Sequence, residues 1–506
     1  MSEVKDTQHP KVEIAVKNFG PIAKANIDLR PLTVFVGPSN TGKTYFATLV
    51  YALHGVFQGF AEPRLLVPSG FEGVLGILGA LRPYVLKKDQ PSSKEVVQDI
   101  LEKLSRDDRA FRLSDLPEEI CGLLLDTIKD SEIFGDRLQA AIKNYFDIDS
   151  ISSLKRLTEG LLNELEISMR IGMEHQHGWS INMTTSESDV MLDSSFNKDM
   201  ILIPKGLAIS TDWTGEGDFD FTLSGNWTLG EMKHQLHSGS SNWIGGNRYY
   251  LPAARSGIMQ SHRVIASSLV TRTTRVGLER FPEVPTMSGA IADFMERIIL
   301  YEEDKGSNDE MKHLVEALES DVLAGQILLK SLPSGYPDFY YRPQGIEEDI
   351  RLSQTSSMVS ELAPLVLYLR GLVNPGDTFI IEEPEAHLHP GAQADMAVVL
   401  ARLVRAGVRV IITTHSDWLL QEIGNLIRVG ELEKAGQAAS DLPTSLQKEQ
   451  VGVWHFQKDG KVEEIPYNRI DGVEPMEYLD VAEDLYNRSA RLQNRLEEVK
   501  GGSERE

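Results

Sequence analysis

Residues 34–46, VFVGPSNTGKTYF, constrain the fold more than any other stretch of the chain. A β-branched and aromatic strand leads into a turn of small residues, and Gly42-Lys43-Thr44 then opens an apolar helix. The spacing fits the pattern G-x-x-x-x-G-K-[ST], in which backbone N–H groups and a helix N-terminus surround phosphate oxygens. The sequence therefore predicts an α/β fold with a phosphate-binding loop (P-loop) between a strand and a helix.

The residue types of this loop suit a nucleoside triphosphate, and we expect ATP with Mg²⁺. Gly37 and Gly42 let the backbone turn tightly and approach the phosphate oxygens. Lys43 would neutralise the β- and γ-phosphates, and the Thr44 hydroxyl would hold Mg²⁺. The alternative is a chance glycine-rich turn, which the flanking strand and helix argue against. The residues expected to contact the nucleotide are Gly37, Ser39, Asn40, Thr41, Gly42, Lys43, Thr44 and Tyr45.

An acidic pair follows a short buried strand in the second half of the chain. Residues 378–385 read TFIIEEPE, so Glu382 and Glu383 stand at the carboxyl end of the strand. A P-loop needs a carboxylate there to order Mg²⁺ and a group that activates the attacking water. We expect Glu382 to serve the metal and Glu383 to be the general base. A solvated acidic turn is the alternative.

A histidine ends the next predicted strand. Residues 408–420, VRVIITTHSDWLL, form a β-branched strand followed by Thr414-His415 and an apolar helix. A histidine at such a strand end can hold the γ-phosphate and the attacking water through hydrogen bonds. A purely structural histidine is the alternative. Because His415 comes one strand–helix unit after the acidic pair, we expect it to be catalytic.

Composition limits the classes of protein to which the chain can belong. The formal net charge of -24 over 506 residues argues against a nucleic-acid coat, although it leaves room for a local basic groove. The single cysteine, Cys121, excludes an intrachain disulfide framework and fits a reducing cytoplasm. No run of about 18 apolar residues occurs, so we expect a cytoplasmic protein without a membrane span.

Six segments together resemble the ABC-type ATPase head of the SMC, RecF and OLD-like families of AAA proteins. In chain order they are VKNFGPI, GPSNTGKT, an insertion over residues 60–350, SQTSSMVSEL, EEPEAHLHP and TTHS. The resemblance implies an α/β P-loop ATPase head with a mixed sheet and a large helical and strand-containing insertion. It also implies ATP hydrolysis. Since extended heptads are missing, we do not expect a long coiled coil.

The resemblance and the local patterns divide the chain into four segments. Residues 1–60 are the N-terminal ATPase lobe, 61–245 the insertion, 246–352 a connecting lid and helical region, and 353–506 the C-terminal ATPase lobe. The pattern of residues 60–175 is helical and irregular, for example over 92–104 and 116–128, whereas residues 178–229 have a strand-rich pattern.

The segment SQTSSMVSEL matches the signature of such ATPases, whose helix start contacts the γ-phosphate bound to the opposite protomer. Ser356 and Ser357 are the matching positions, and Met358 stands where many relatives carry glycine. The alternative for these two serines is a plain helix N-cap. The resemblance implies a nucleotide-sandwich homodimer or a higher homo-oligomer.

Three other residues allow two interpretations each. His387 and His389 lie near Glu385 in EAHLHP, which allows a zinc site, but the resemblance makes this loop part of the dimer interface. Arg255 in YYLPAARSG is either a nucleotide-sensing group of a lid or a surface arginine.

The cellular role has several possible readings. No Asp-x-Asp occurs in residues 430–506, so we expect no Toprim nuclease. Stand-alone ATPases of this kind resemble those of prokaryotic anti-phage systems such as PARIS and Septu, which implies a switch that senses a phage protein or holds an effector protein encoded nearby. A DNA-clamping repair ATPase is the alternative, supported by the basic stretch Arg263 to Arg280. A regulatory NTPase with a small-molecule input is a third reading.

Overall fold

The computed structural model describes a defined part of the chain. The described residues are 11–56, 64–66, 111–112, 132–156, 164–173, 176–185, 190–196, 201–203, 209–212, 220–223, 246–261, 287–302, 309–331, 337–437, 444–473 and 484–496. The helices predicted over 92–104 and 116–128, Cys121 and the basic stretch at 263–280 lie outside these residues.

Strands and helices are numbered in chain order. The strands are β1 (Lys11–Phe19), β2 (Ile22–Leu29), β3 (Leu32–Val36), β4 (Arg64–Leu66), β5 (Phe111–Arg112), β6 (Leu165–Met173), β7 (Gln176–Thr185), β8 (Val190–Phe196), β9 (Ile201–Ile203), β10 (Ile209–Asp212), β11 (Asp220–Leu223), β12 (Arg248–Leu251), β13 (Gly325–Ser331), β14 (Pro337–Pro343), β15 (Ile350–Arg351), β16 (Thr378–Glu382), β17 (Arg409–Thr413), β18 (Val451–Phe456) and β19 (Val462–Ile465). The helices are α1 (Lys43–Val56), α2 (Glu132–Phe146), α3 (Gly289–Ile299), α4 (Asp309–Ala317), α5 (Ser357–Gly371), α6 (Pro390–Arg405) and α7 (Asp417–Lys434).

The central sheet has six strands in the order β12-β16-β17-β3-β18-β19. The first five run parallel, and β19 closes the edge as the antiparallel partner of β18. Since both faces of this sheet are covered, its strands are apolar at successive positions rather than at alternate ones. In β16, Phe379 and Ile381 join the core on one face, whereas Ile380 joins the core on the other face. The predicted α/β fold with a mixed sheet is therefore confirmed.

A second, antiparallel sheet has the order β2-β1-β6-β7-β8. Its first hairpin is the predicted turn around Asn18 and Gly20, where Phe19 pairs with Ile22. The helical pattern expected up to residue 175 is wrong for Leu165–Met173, because this segment pairs along β1. Apolar residues alternate with polar ones in LEISMRIGM, as a strand with one buried face requires. The insertion therefore shares a sheet with the N-terminal segment, and the four-segment division stays a prediction.

The helices cover the central sheet and complete its core. Buried residues of α5, α6 and α7 pack on one face, together with β13 and β14, while α1 and α2 pack on the other. Among the described helices, the longest is α7 with 18 residues, so this part of the protein has no long coiled-coil arm. None of the helices in the described ranges has the length and apolar character needed to cross a membrane.

Candidate functional site

The P-loop connects β3 to α1 and packs closely against its neighbours. Gly37 has φ of 131°, and a Cβ atom there would lie 2.3 Å from the carbonyl oxygen of Phe456. Gly42 has φ of 104°, and a Cβ atom there would lie 2.6 Å from Ile22. Any other residue at either position would combine a strained backbone with a steric clash. The two glycines are thus required by the loop conformation itself.

Lys43 is the first residue of α1 and is buried beneath the loop. Its Nζ donates hydrogen bonds to the carbonyl oxygens of Gly37 at 2.8 Å and Pro38 at 2.7 Å. Burial lowers the pKa of Lys43 to about 8, whereas the carboxylates of Glu383 and Glu385 act in the opposite direction. The ammonium group therefore lies among acidic groups and loop carbonyls.

The other predicted residues of the loop lie around Lys43 and differ in exposure. Thr41 is buried and donates from Oγ1 to the carbonyl oxygen of Pro38 at 2.9 Å. Asn40 adopts φ of 65° and is exposed, as is Ser39. Thr44 is exposed at the start of α1. Tyr45 is 41% exposed, and its ring packs against that of Phe146 at a centroid distance of 5.6 Å.

Glu382 ends β16 and is nearly buried. Its Oε1 accepts a hydrogen bond from the Tyr250 hydroxyl at 2.6 Å, and its Oε2 accepts one from the backbone N–H of Ala253 at 2.9 Å. The fully buried Tyr250 reaches this carboxylate because Tyr250 pairs with Ile380, two residues before Glu382 on the same face. The two hydrogen bonds fix the orientation of the carboxylate, and each oxygen retains lone-pair capacity for another donor or a metal-bound water.

Glu383 follows at once with a strained backbone. Its φ of 44° lies in the left-handed region, which is unusual for a residue with a long side chain. Its backbone N–H donates to the carbonyl oxygen of Thr413 on β17 at 2.9 Å, and its carbonyl oxygen accepts from Arg255 at 2.9 Å. The surrounding structure thus holds both sides of the residue, as strained backbone at functional sites requires.

Glu385 connects the acidic segment to the end of β17. Its Oε1 accepts hydrogen bonds from the Thr414 hydroxyl and from the backbone N–H of His415, both at 2.7 Å. Its Oε2 is buried and has no hydrogen-bond partner among the described residues. Burial raises the pKa of Glu385, while the hydrogen bonds from His415 and Thr414 act in the opposite direction. Glu385 thereby fixes the backbone that presents His415.

The strand ends bring the predicted catalytic residues together with the P-loop lysine. Glu382 pairs with Thr413, and Thr413 pairs with Phe35 of β3, so three neighbouring parallel strands end at the same edge. The pKa of His415 is lowered by burial and by the charge of Lys43, and it is raised by the charge of Glu383. Lys43, Glu383 and His415 are therefore within electrostatic reach of one another.

The signature serines make no hydrogen bond to this cluster in the part of the chain that the structure describes. Ser356 is the N-cap of α5, and its side chain accepts from the backbone N–H of Val359 at 3.5 Å. Ser357 is exposed at the first position of the helix, and Met358 packs partly buried against the central core. Among the hydrogen bonds of the described residues, none joins either serine to the P-loop. The structure thus places both serines at an exposed helix start.

Arg255 is one of the most buried side chains, with 1% of its surface exposed. The surface-arginine alternative is therefore wrong. Its guanidinium bonds to the carbonyl oxygens of Glu382 and Glu383 and forms an ion pair with Glu361 of α5.

The two histidines of EAHLHP occupy different environments. His387 is exposed on its side chain, has φ of 61°, and approaches the carboxylate of Glu361 at 3.9 Å. His389 is the N-cap of α6, where its Nδ1 accepts from the backbone N–H of Gly391 at 3.3 Å. Within the described ranges, the structure shows no group of acidic, histidine or cysteine side chains that could hold a metal ion by itself.

Tyr250, Glu361 and Thr414 have contacts in the site that the sequence interpretation did not anticipate. Tyr250 follows another tyrosine in a short strand and looks like an ordinary core residue. Glu361 lies in an otherwise apolar helix, where a buried carboxylate needs a partner. That single acidic residue was the available signal, but its partner Arg255 lies 106 positions earlier in the chain.

One family model of an ATPase domain matches part of the chain. Residues 283–420 match the family model described as AAA ATPase domain. The matched segment is about a quarter of the chain and includes α5, the acidic pair and His415. It does not include the P-loop. No curated protein matches the sequence.

Several solved SMC heads are similar in structure at low sequence identity. An SMC head bound to the C-terminal winged-helix domain of ScpA is 11% identical, with 90% of this chain and 96% of that chain covered at a TM-score of 0.38. The SMC head domain from Thermotoga maritima is 9% identical, with coverages of 91% and 100% and a TM-score of 0.34. An SMC head with an extended coiled coil, bound to the C-terminal domain of ScpA derived from Pyrococcus furiosus, is 12% identical, with coverages of 94% and 100% and a TM-score of 0.35.

Proposed function

We propose that the chain binds ATP with Mg²⁺ at the edge formed by β16, β17 and β3, and that it hydrolyses the γ-phosphate. The observation that supports this most is the convergence of Lys43, Glu383 and His415 where these parallel strands end. Ligands of open α/β sheets bind at the carboxyl ends of the strands. A phosphate-binding loop, a pair of carboxylates and a histidine are the groups that phosphoryl transfer to water needs.

The P-loop residues are suited to hold the phosphate chain. Gly37 and Gly42 keep the loop in a conformation that only glycine adopts without strain. Lys43 bonds loop carbonyls with two of its protons and lies at the helix N-terminus, where a phosphate would be stabilised. Tyr45 lies next to Thr44 and is partly exposed, and we expect it to contact the nucleotide as well. Ser39, Asn40 and Thr41 complete the loop.

The oxygen ligands present fit Mg²⁺, which prefers hydroxyl, carboxylate and water oxygens. Thr44 offers an exposed hydroxyl, and Glu382 offers a carboxylate already oriented by Tyr250 and Ala253. We assign Thr44 to the metal itself and Glu382 to its water shell. When bound, the metal would neutralise charge that develops on the phosphate oxygens.

Glu383 is placed to act as the general base. Its charge acts on both Lys43 and His415, and its backbone is held on both sides. We infer that Glu383 takes a proton from the attacking water, and that His415 donates a hydrogen bond to the γ-phosphate or to that water. The low pKa of His415 favours the neutral imidazole, which has one donor and one acceptor.

Ser356 and Ser357 are exposed, and within the described residues no hydrogen bond joins them to the P-loop, so we propose that they serve a second copy of the chain. In a sandwich of two heads, the exposed start of α5 would face the nucleotide held by the partner, and each site would consist of residues from both protomers. The homodimer, or a higher assembly built from it, is then the hydrolytically competent form.

For the cellular role, we propose a cytoplasmic switch or scaffold of an anti-phage defence system that holds an effector protein and responds to a phage component. The segments from VKNFGPI to TTHS resemble an ABC-type ATPase head, and stand-alone ATPases of this shape resemble those of anti-phage systems. The net charge of -24 favours a protein partner over DNA.

Purification tests the biochemical part, and infection tests the cellular part. We expect the purified chain to release phosphate from ATP in a Mg²⁺-dependent reaction, and expressed with its neighbouring genes it should reduce phage plating. The variant Lys43→Ala should lose both properties. Salt-sensitive duplex DNA binding without co-purification of a neighbouring gene product would favour a DNA-repair clamp instead.

A further inference from the structure

Arg255 joins three parts of the molecule that the sequence separates widely. It lies just after β12 and bonds to the carboxyl end of β16 and to α5. The guanidinium donates from Nη1 to the carbonyl oxygen of Glu382 at 2.5 Å and from Nη2 to that of Glu383 at 2.9 Å. Its Nε donates to the carbonyl oxygen of Glu361 at 3.1 Å. All three nitrogens of the guanidinium group therefore donate a hydrogen bond.

The charge of Arg255 is compensated by the side-chain carboxylate of Glu361, which belongs to α5. Nε lies 3.0 Å from Oε2 of Glu361, and the side chains of both residues are only 2% exposed. Such a pair is costly to bury and is strongly destabilised when one partner is removed. The pair thus ties α5 firmly to the loop that carries the acidic residues.

Glu383 depends on this connection more than its neighbours do. Its left-handed backbone is retained because Thr413 accepts its N–H and Arg255 bonds its carbonyl oxygen. The backbone N–H of Ala386 also donates to this carbonyl oxygen, at 3.0 Å, but it belongs to the same short loop. Without Arg255 the carbonyl oxygen keeps only this local bond, and we expect the strained backbone to relax more easily to an ordinary conformation. A rotation there would re-orient the carboxylate, whose charge acts on Lys43 in the present structure.

Glu361, the partner of Arg255, lies close to the exposed start of α5. Ser357 and Glu361 are four positions apart, so they lie on the same side of the helix, one turn from each other. We therefore expect a shift of the helix start to move Glu361 as well, and with it the ion pair to Arg255.

We propose that Arg255 is a positioning residue that makes the orientation of Glu383 depend on the location of the start of α5. The inference rests on the proposed ATP hydrolysis and deepens it. A ligand or partner bound at Ser356 and Ser357 would stabilise the arrangement of α5 in which Glu383 points at the site, and hydrolysis would follow only then.

The test compares Arg255, which bonds to Glu361 in the first half of α5, with Arg370, which lies in the last turn of that helix. Arg370 pairs with Glu319 at 2.6 Å and bonds the carbonyl oxygen of Ile327, away from the acidic pair. The full-length variants Arg255→Lys and Arg370→Lys keep the charge and lose the planar fork. We expect Arg255→Lys to lower kcat by about 10-fold or more with KM for ATP unchanged, in the range that misplacement of a reacting group produces. We expect Arg370→Lys to keep the wild-type kcat.

A second variant covers the case in which Arg255→Lys folds poorly. The double variant Arg255→Met with Glu361→Met removes both buried charges, a change that proteins tolerate when the volume is kept. It should bind ATP and keep the wild-type unfolding temperature, yet lose hydrolysis to the same extent. A wild-type kcat in the double variant, or equal losses in Arg255→Lys and Arg370→Lys, would overturn the inference. A wild-type protein that binds ATP without releasing phosphate contradicts the proposed function itself, and the inference with it.

Discussion

The two ends of the central sheet hold their polar groups in different ways. At the carboxyl end, Glu385 keeps one buried oxygen without a hydrogen bond among the described residues, and Glu383 has a strained backbone. At the amino end, Asp377 accepts backbone N–H groups with both oxygens, from Asn247 at 2.6 Å and from Asn374 at 2.8 Å. At the amino end, the carboxylate has hydrogen-bond partners on both oxygens within the chain. At the carboxyl end, the acidic residues are held in place but retain hydrogen-bonding capacity.

The difference indicates that the amino end of the sheet serves stability, whereas the carboxyl end leaves groups available for chemistry. Gly376 at the amino end donates to the carbonyl oxygen of Gly407 at 2.8 Å, and Arg409 donates its N–H to that of Asp377 at 2.9 Å. These bonds close the loops that enter β16 and β17. About 16 Å further along β16, at 3.3 Å for each residue, the same strand presents Glu382 and Glu383. Substitutions at the amino end should therefore change the free energy of unfolding, and those at the carboxyl end should change the rate of hydrolysis.

The largest expected effect is that of Glu383→Gln. The amide keeps the size and the backbone bonds but cannot take a proton, so kcat should fall by about 100- to 10,000-fold, the range of a general base. ATP binding should persist, and the ATP-bound dimer should accumulate, as measured by phosphate release and light scattering. Hydrolysis at the normal rate would show that Glu383 is not the base.

Lys43→Ala should remove nucleotide binding. Loss of two charge-assisted contacts at about 1.5 kcal/mol each weakens the affinity about 100-fold or more. Isothermal titration with a non-hydrolysable ATP analogue measures this directly. Affinity equal to that of the wild type would mean that the phosphates do not lie beside the P-loop.

Ser357→Arg should have a smaller effect and should act only across the dimer. The bulky charge at the exposed start of α5 would block the partner's nucleotide, so hydrolysis should fall by about 10-fold while ATP binding remains. A mixture with Lys43→Ala should regain activity, because one intact composite site forms from the P-loop of one variant and the signature serines of the other. Without recovery in the mixture, the sandwich arrangement is wrong. Ser353→Arg, at an exposed position three residues before Ser356, is the matched control.

The carboxyl end of the sheet was largely predictable from sequence. Buried parallel strands are recognisable as apolar runs, and their carboxyl ends lie at one edge of the sheet. The positions of Lys43, Glu383 and His415 follow from this rule. The Arg255–Glu361 pair does not, since local patterns contain no information on a contact between residues 106 positions apart. The helical prediction fails at β6 for another reason. Its sequence has a period of two, but helical patterns flank it, and its partner β1 lies far away in the chain.

Asp377→Asn should have the smallest effect on activity and a clear effect on stability at the amino end. Burial raises the pKa of Asp377 to about 6 in the folded protein, above its ordinary value of 3.8. The folded state therefore binds more protons than the unfolded state between these values, and wild-type stability falls as the pH rises from about 4 to 6, then levels off. Asparagine has no such titration, so the unfolding free energy of the variant should lose this decline, a difference of about 2 kcal/mol between pH 4 and pH 7. Urea unfolding at the two pH values measures it, and phosphate release at pH 7 should match the wild type. If Asp377→Asn stopped hydrolysis in a folded protein, the two ends of the sheet would not be functionally separate. Their separation is the reason to expect that stability can be altered at one end while the site at the other end continues to work.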